Sequence, residues 1–329
     1  MPDSSQDQEA RAFDFRIEER IAAGFVPDLR RAVKCDYFYK SFWRDPHYVD
    51  LYIGSIVRTY LELLGRYCPP GASIIDVGCG AGYVSLELAR NGYYVDAIDI
   101  SESCIREAQR MLDENPYRNG FGSLNYQVAS FDDVAGEYDV ALFSGSLHHM
   151  NNIEQTITHA ATLLRSGGHL LCYEPCHERW QKKDAALVAL IRGLLAITGH
   201  WFSHEADHLL RDERGLERLT QEIHDEYVLE RDKDEPEGQS PQDNTWNGEE
   251  ILGALRRRFL ELEIRPGFSF IYRLLGGMRG DDERIHTIAD LLTAYDRFSV
   301  ANGYVNPNGF CFIGRKAETS MRDDCLTSP

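Results

Sequence analysis

Between residues 74 and 83 the chain reads Ile-Ile-Asp-Val-Gly-Cys-Gly-Ala-Gly-Tyr, with Asp76 two positions before Gly78, Gly80 and Gly82. Alternating glycines let a backbone turn sharply and let a ligand approach the main chain where a Cβ would collide. Asp99 follows 17 residues after Gly82, at the end of the apolar run Tyr93–Ile98. A carboxylate there can accept two hydrogen bonds from a ribose diol. A nicotinamide or flavin dinucleotide site would carry G-x-G-x-x-G and lack the carboxylate upstream, so a different nucleoside-bearing cofactor is indicated.

A second group of candidates can move protons. Phe143-Ser144-Gly145-Ser146-Leu147-His148-His149-Met150 follows a predicted strand, and Tyr173-Glu174-Pro175-Cys176-His177 follows another. Histidine, with an ordinary pKa of about 6.5, can deprotonate a hydroxyl or amine near neutrality. His148 is the first choice, with His149 and Glu174 beside it because ligands bind at the carboxyl ends of parallel strands. A third group, His204-Glu205-Ala206-Asp207-His208 with His200 one turn earlier, matches the H-E-x-x-H zinc pattern. The downstream G-x-x-H extension is missing and Asp207 puts a charge inside the motif, so a polar helix with no metal is expected there.

These residues need a scaffold, and the chain supplies an alternation of strand and helix. Ser73–Val77, Tyr93–Ile98, Leu124–Val128, Val140–Phe143 and His169–Tyr173 read as buried parallel strands. Helices are expected over Val84–Asn91, from Ser101 to about Asn115, and over Ile153–Arg165. Such βα repeats make a doubly wound sheet. Two helices, Asp184–Thr198 and Glu205–Tyr227, then precede a resumed core: helix Glu249–Phe259, strand Leu262–Tyr272, helix Ile285–Ala294 and strand Gly309–Arg315. Helical spacing also runs from Arg11 to Gly65, ending in the aromatic patch Tyr37–Tyr52 and the break at Pro69-Pro70-Gly71.

The order of these motifs resembles the class I S-adenosylmethionine-dependent methyltransferases over residues 70–175. The resemblance implies a Rossmann-like α/β fold with a seven-stranded methyltransferase sheet whose last strand is antiparallel, an N-terminal helical cap, and a helical lid insertion before the sixth strand. It implies that Asp76, Gly78, Gly80 and Gly82 lie along the methionine part of S-adenosylmethionine. Asp99 and Ile100 would hold the ribose, Ser130 and Phe131 would flank the adenine with Asp132 or Asp133 nearby, and Ser144 would border the cofactor. The N/D-P-P-Y tetrad of enzymes that methylate nucleic-acid bases or glutamine amides is absent after the fourth strand. The Ser-Leu-His-His-Met run is similar to that of small-molecule, natural-product methyltransferases. Such relatives build their pockets from N-terminal helices and the segment before the sixth strand, which makes Tyr37, Tyr39 and Trp43 substrate candidates. The expected product is S-adenosyl-L-homocysteine and a small, partly apolar metabolite methylated on O, N or C. The rival readings are a methyltransferase fold with a non-methylating role, as a pericyclase or cofactor-binding partner, and a zinc hydrolase built on His204, Glu205 and His208.

The expected organisation is a tail and helical cap over 1–70, the cofactor-binding core over 71–175, an acidic lid over 176–248, the rest of the sheet over 249–317 and a tail over 318–329. Neither the first ten residues nor the last twelve are expected to carry chemistry. Of the 329 residues, 53 are acidic and 35 basic, and −11 of the net −18 falls within residues 204–250. That balance opposes nucleic-acid backbones and anionic membranes as partners. The longest apolar run, Ala185–Thr198, is broken by Arg192 and too short to span a bilayer. Eight scattered cysteines without a C-x-x-C pair, and an N-terminus without an apolar signal segment, lead to the expectation of a cytoplasmic protein. The oligomeric state is not legible.

Overall fold

The computed structural model describes residues 5–35, 41–203, 212–229, 240–243 and 245–317. Seven strands, β1 (Ser73–Val77), β2 (Tyr94–Asp99), β3 (Ser123–Val128), β4 (Tyr138–Ser144), β5 (Leu164–Pro175), β6 (Phe259–Pro266) and β7 (Gly309–Lys316), form one sheet in the order β3-β2-β1-β4-β5-β7-β6. The first five are mutually parallel where they pair, and β7 runs antiparallel to β5 and β6. This is the expected Rossmann-like methyltransferase sheet. Its strand order switches direction between β1 and β4, where open α/β sheets leave a crevice at their carboxyl ends.

Helices cover both faces, which is why the central strands are continuously apolar. Ile74, Val95, Val140 and Leu142 pack with Leu63, Leu64 and Leu88 on one side. Their neighbours Ile75, Val77, Ala141 and Phe143 pack with Ile157, Leu163 and Leu255 on the other. Successive strand residues thus feed opposite layers. Ser101 caps the helix Glu102–Asp113 by accepting from the Cys104 N–H.

Two regions depart from the sequence reading. Residues 5–10 are not tail: a helix spans Ser5–Ala22, buries Glu9 and Ile17, and is pinned to the core where Asp14 accepts from the Ser101 hydroxyl and Ser103 N–H. The sixth strand ends at Pro266 instead of Tyr272. Proline has no N–H to extend a ladder, and the fully buried Asp296 carboxylate takes the N–H groups of Ser269, Phe270 and Ile271 at 2.8 Å each, turning them into a short helix. Burial pushes the Asp296 carboxyl up to about 6 against those three donors.

The insertion before the sixth strand is helical, as expected. Its helices, Lys182–Ile197 and Glu213–Val228, lean on each other through the buried Arg192–Glu226 pair at 2.8 and 3.0 Å and through Trp180 stacked on Tyr227. Their apolar faces join Tyr48, Phe270, Leu274, Ile285 and Ala289 in a separate core cluster. Further along the same insertion, the Ser240 hydroxyl and Gln242 N–H donate to Glu9 of the N-terminal helix.

Candidate active site

A cleft of about 300 Å³ opens at the carboxyl ends of β1, β2 and β4, at the small end of the roughly 300–1,000 Å³ typical of ligand pockets. Its floor is the turn from β1 into the helix Tyr83–Arg90. Gly78, Gly80 and Gly82 all have positive φ, at 71°, 53° and 77°. The N–H groups of Gly78 and Cys79 donate to the Ile98 carbonyl, which ties the turn to β2. A Cβ on Gly82 would run into the Tyr126 hydroxyl and Ala108, whereas one on Gly80 would meet nothing within 4 Å. Gly82 therefore permits packing, and Gly80 leaves open space.

Two carboxylates flank this turn. Asp99 accepts from the Gly80 N–H through one oxygen and the Ser101 N–H through the other, both at 2.8 Å. Burial nevertheless keeps its pKa above the ordinary carboxylate value. Asp76 is fully buried, takes the Ser85 hydroxyl on Oδ2, and has no hydrogen-bond partner on Oδ1. Desolvation pushes it up to about 7. A buried carboxylate oxygen without a donor, at the edge of a glycine turn lining a cleft, fits a ligand that brings an ammonium or N–H group.

Ile100, Ser130, Phe131, Asp132 and Ser144 complete the walls. Phe131 is held edge-on against Phe143, and Ser144 is anchored by the Tyr60 hydroxyl at 2.9 Å. Opposite them stand Gln6, Glu9, Phe13, Ile17 and Arg20 of the N-terminal helix, with Phe25, Trp43, Tyr83 and Gln242. Trp43 packs edge-on to Phe25 and Tyr83 with ring centroids 4.7 and 5.0 Å apart.

A family model described as a methyltransferase domain matches residues 47–223, more than half of the chain. The chain belongs to this methyltransferase family. Among curated relatives, a ubiquinone biosynthesis O-methyltransferase of Xylella fastidiosa (strain 9a5c) is 28% identical over 137 residues, covering 40% of this chain and 54% of that protein. The chain thus spans about half the length of the curated relatives it matches. Among solved structures, geranyl diphosphate C-methyltransferase of Streptomyces coelicolor A3(2) aligns with a TM-score of 0.52 at 12% identity, covering 96% of this chain and 99% of that one. Magnesium protoporphyrin IX methyltransferase of Synechocystis PCC 6803 aligns with a TM-score of 0.51 at 14% identity over 95% of this chain and 100% of that one. Both were crystallised with S-adenosyl-L-homocysteine. At such identities the likeness speaks for the fold.

Around the cleft the three proton-moving candidates divide. His149 lines the cleft, edge-on to Phe13, with Nδ1 3.0 Å from Glu9 Oε1. Burial pulls its pKa down, but the Glu9 hydrogen bond and the charges of Asp243, Glu9 and Glu174 more than offset that and leave it raised. His148, the first choice from sequence, is not among the cleft-lining residues; it turns inward, with Nδ1 2.8 Å from Glu174 Oε2. Glu174 is fully buried and does not border the cleft. Its other oxygen accepts from the N–H groups of Ser146 and Leu147, so it shapes the loop that carries both histidines.

Of the substrate candidates, Trp43 lies at the cleft, while Tyr37 and Tyr39 fall outside the described residues. The same holds for His204, Glu205 and His208; His200 lies beyond the helix ending at Ile197, hydrogen-bonded to Thr198. Sequence reasoning missed Gln6, which donates to the Ser130 hydroxyl, and Glu9. The spacing of Phe13, Ile17 and Ile21, extended one turn back to Glu9, was the signal for them. Among the described residues no helix is long and apolar enough to cross a membrane.

Proposed function

We propose that the protein binds S-adenosylmethionine in this cleft and catalyses methyl transfer to O, N or C of a small, partly apolar metabolite. The observation that carries this reading is the β1 turn: three positive-φ glycines between the donorless Asp76 Oδ1 and the Asp99 carboxylate. Asp76 would receive the α-ammonium group, Asp99 and Ile100 the ribose, and Ser130, Phe131 and Asp132 the adenine edge. S-adenosylmethionine supplies an electrophilic methyl group whose transfer is an in-line displacement, so most of the catalysis lies in alignment.

The chain's own residues do the rest. Phe13, Trp43 and Tyr83 keep water from the reacting end. Glu9 holds His149 through Nδ1, so an acceptor arriving as a neutral hydroxyl or amine would lose its proton to His149 and not to His148. Small-molecule acceptors agree with the narrow cleft and with its relatives and structural neighbours, a ubiquinone biosynthesis O-methyltransferase and a geranyl diphosphate C-methyltransferase among them.

The test is calorimetric titration with S-adenosylhomocysteine followed by a screen of quinol, phenol and prenyl acceptors for mass gain by one methyl. Micromolar-scale binding with stoichiometric S-adenosylhomocysteine release is the expected result. Binding without release in the presence of a converted substrate would favour the non-methylating reading, and no binding would overturn the cofactor assignment.

A further inference from the structure

We propose that His148, His149 and Asp243 form a binding site for a divalent first-row transition-metal cation such as Zn²⁺ or Co²⁺. The two imidazoles lie side by side, centroids 4.1 Å apart, on the short turn Leu147–His149. Each is held from behind by its own buried carboxylate: Glu174 Oε2 at 2.8 Å from His148 Nδ1, and Glu9 Oε1 at 3.0 Å from His149 Nδ1. An ionised carboxylate can only accept, so both rings donate from Nδ1, and each Nε2 offers a lone pair to a cation when its ring is neutral. Both Nε2 atoms face a third carboxylate, Asp243 Oδ1, at 3.9 and 4.0 Å.

Those two distances are too long for hydrogen bonds, and the two Nε2 atoms and Asp243 Oδ1 all lie within 4.8 Å of one another, close enough for one cation to bind all three. Zinc bonds of about 2.0–2.2 Å to nitrogen and oxygen separate ligand atoms by roughly 3–3.5 Å, so each Nε2 needs to move only about half an ångström toward Asp243 Oδ1 to share a cation with it. Two imidazoles and one carboxylate suit Zn²⁺, Co²⁺ or Fe²⁺ more than Mg²⁺ or Ca²⁺, which prefer oxygen alone. A carboxylate behind each ligating histidine is the usual outer shell of such centres, fixing tautomer and ring direction.

The remaining contacts keep the geometry in place. Glu174 is locked by the Ser146 and Leu147 N–H groups, and Glu9 by the Ser240 hydroxyl and Gln242 N–H. The Thr245 N–H donates to the His148 carbonyl, clasping the segment around Asp243 against the histidine turn. A bound cation would take the Nε2 lone pair of His149, replacing a proton acceptor at the cleft wall with a Lewis acid. The site is thus distinct from the H-E-x-x-H pattern and from the cofactor turn, and its existence does not depend on methyl transfer.

The experiment is titration of the full chain, free of any polyhistidine tag and stripped with chelator, with Co²⁺ and Zn²⁺. Ligand-field absorption of Co²⁺ and the heat of Zn²⁺ binding are read directly, and far-ultraviolet circular dichroism reports whether each variant folds. Saturable binding by the native chain is expected, weakened at least about ten-fold in Asp243→Asn and His148→Gln and roughly 10–100-fold in Glu174→Gln, and unchanged in His204→Ala. Absence of saturable binding by the folded native chain would overturn the proposal. So would full affinity in any folded variant of Asp243 or His148, or loss of binding in His204→Ala.

Discussion

The carboxylate of Asp99 spans two backbone N–H groups, Gly80 on the β1 turn and Ser101 at the start of the next helix, each at 2.8 Å. One side chain therefore joins the glycine turn to a helix N-terminus and still fronts the cleft. Asp99→Ala removes two charge-assisted hydrogen bonds, each worth about 1.5–3 kcal/mol, along with the proposed ribose contact. S-adenosylhomocysteine affinity is expected to fall by roughly 10–150-fold by calorimetry, with Asp99→Asn intermediate.

Asp76 links the cleft to pH. Burial raises its folded pKa to about 7, above the value in an unfolded chain. The stability it contributes is therefore present below the unfolded pKa and is lost as pH rises through about 7. A ligand ammonium group prefers the charged carboxylate, so S-adenosylhomocysteine affinity should rise with pH through that same region. Binding measured at about pH 6 and about pH 8 should differ in the native chain and be flat in Asp76→Asn. A slope that persists in the variant would assign the dependence elsewhere.

Two glycines of one turn should respond differently to alanine. Both Gly80 and Gly82 have positive φ, which costs a residue with a Cβ about 1–2 kcal/mol. Only at Gly82 does the new methyl also collide, with Tyr126 and Ala108. Thermal unfolding should show Gly82→Ala as clearly the less stable. Gly80→Ala should keep most of its stability and lose cofactor affinity, because its methyl enters the cleft.

Asp296 is a stability test away from the cleft. Its carboxylate is the partner of three buried N–H groups, and an unmade buried hydrogen bond costs about 1–3 kcal/mol. Asp296→Ala should lower stability by at least about 3 kcal/mol in denaturant titration. Asp296→Asn can satisfy one or two of the three donors and should lie between.

The sheet was readable because parallel strands buried on both faces are unbroken apolar runs. Ser73–Val77 is recovered without error, and the remaining core strands are recovered to within a few residues. The glycine turn was readable for a similar reason: Gly78, Gly80 and Gly82 act through local backbone geometry, whereas Asp99 meets the turn because β2 pairs with β1. Where the sixth strand ends was not readable. It depends on Asp296, a carboxylate 27 residues beyond Ser269 whose effect exists only once the helix carrying it has docked.

The same division runs through the candidate site. Residue types and local spacing sufficed for the fold class, the glycine turn and the histidine pair, since these follow from short-range rules of turn, strand and helix. Which histidine meets the cleft, that Glu174 stands behind His148, and that Glu9 and Asp243 converge on the same turn from 140 and 94 residues away were decided by packing. The physical reason is that a side chain's direction is set by the surfaces around it, here the N-terminal helix and the segment 240–243, and no periodicity in the sequence encodes where distant surfaces meet.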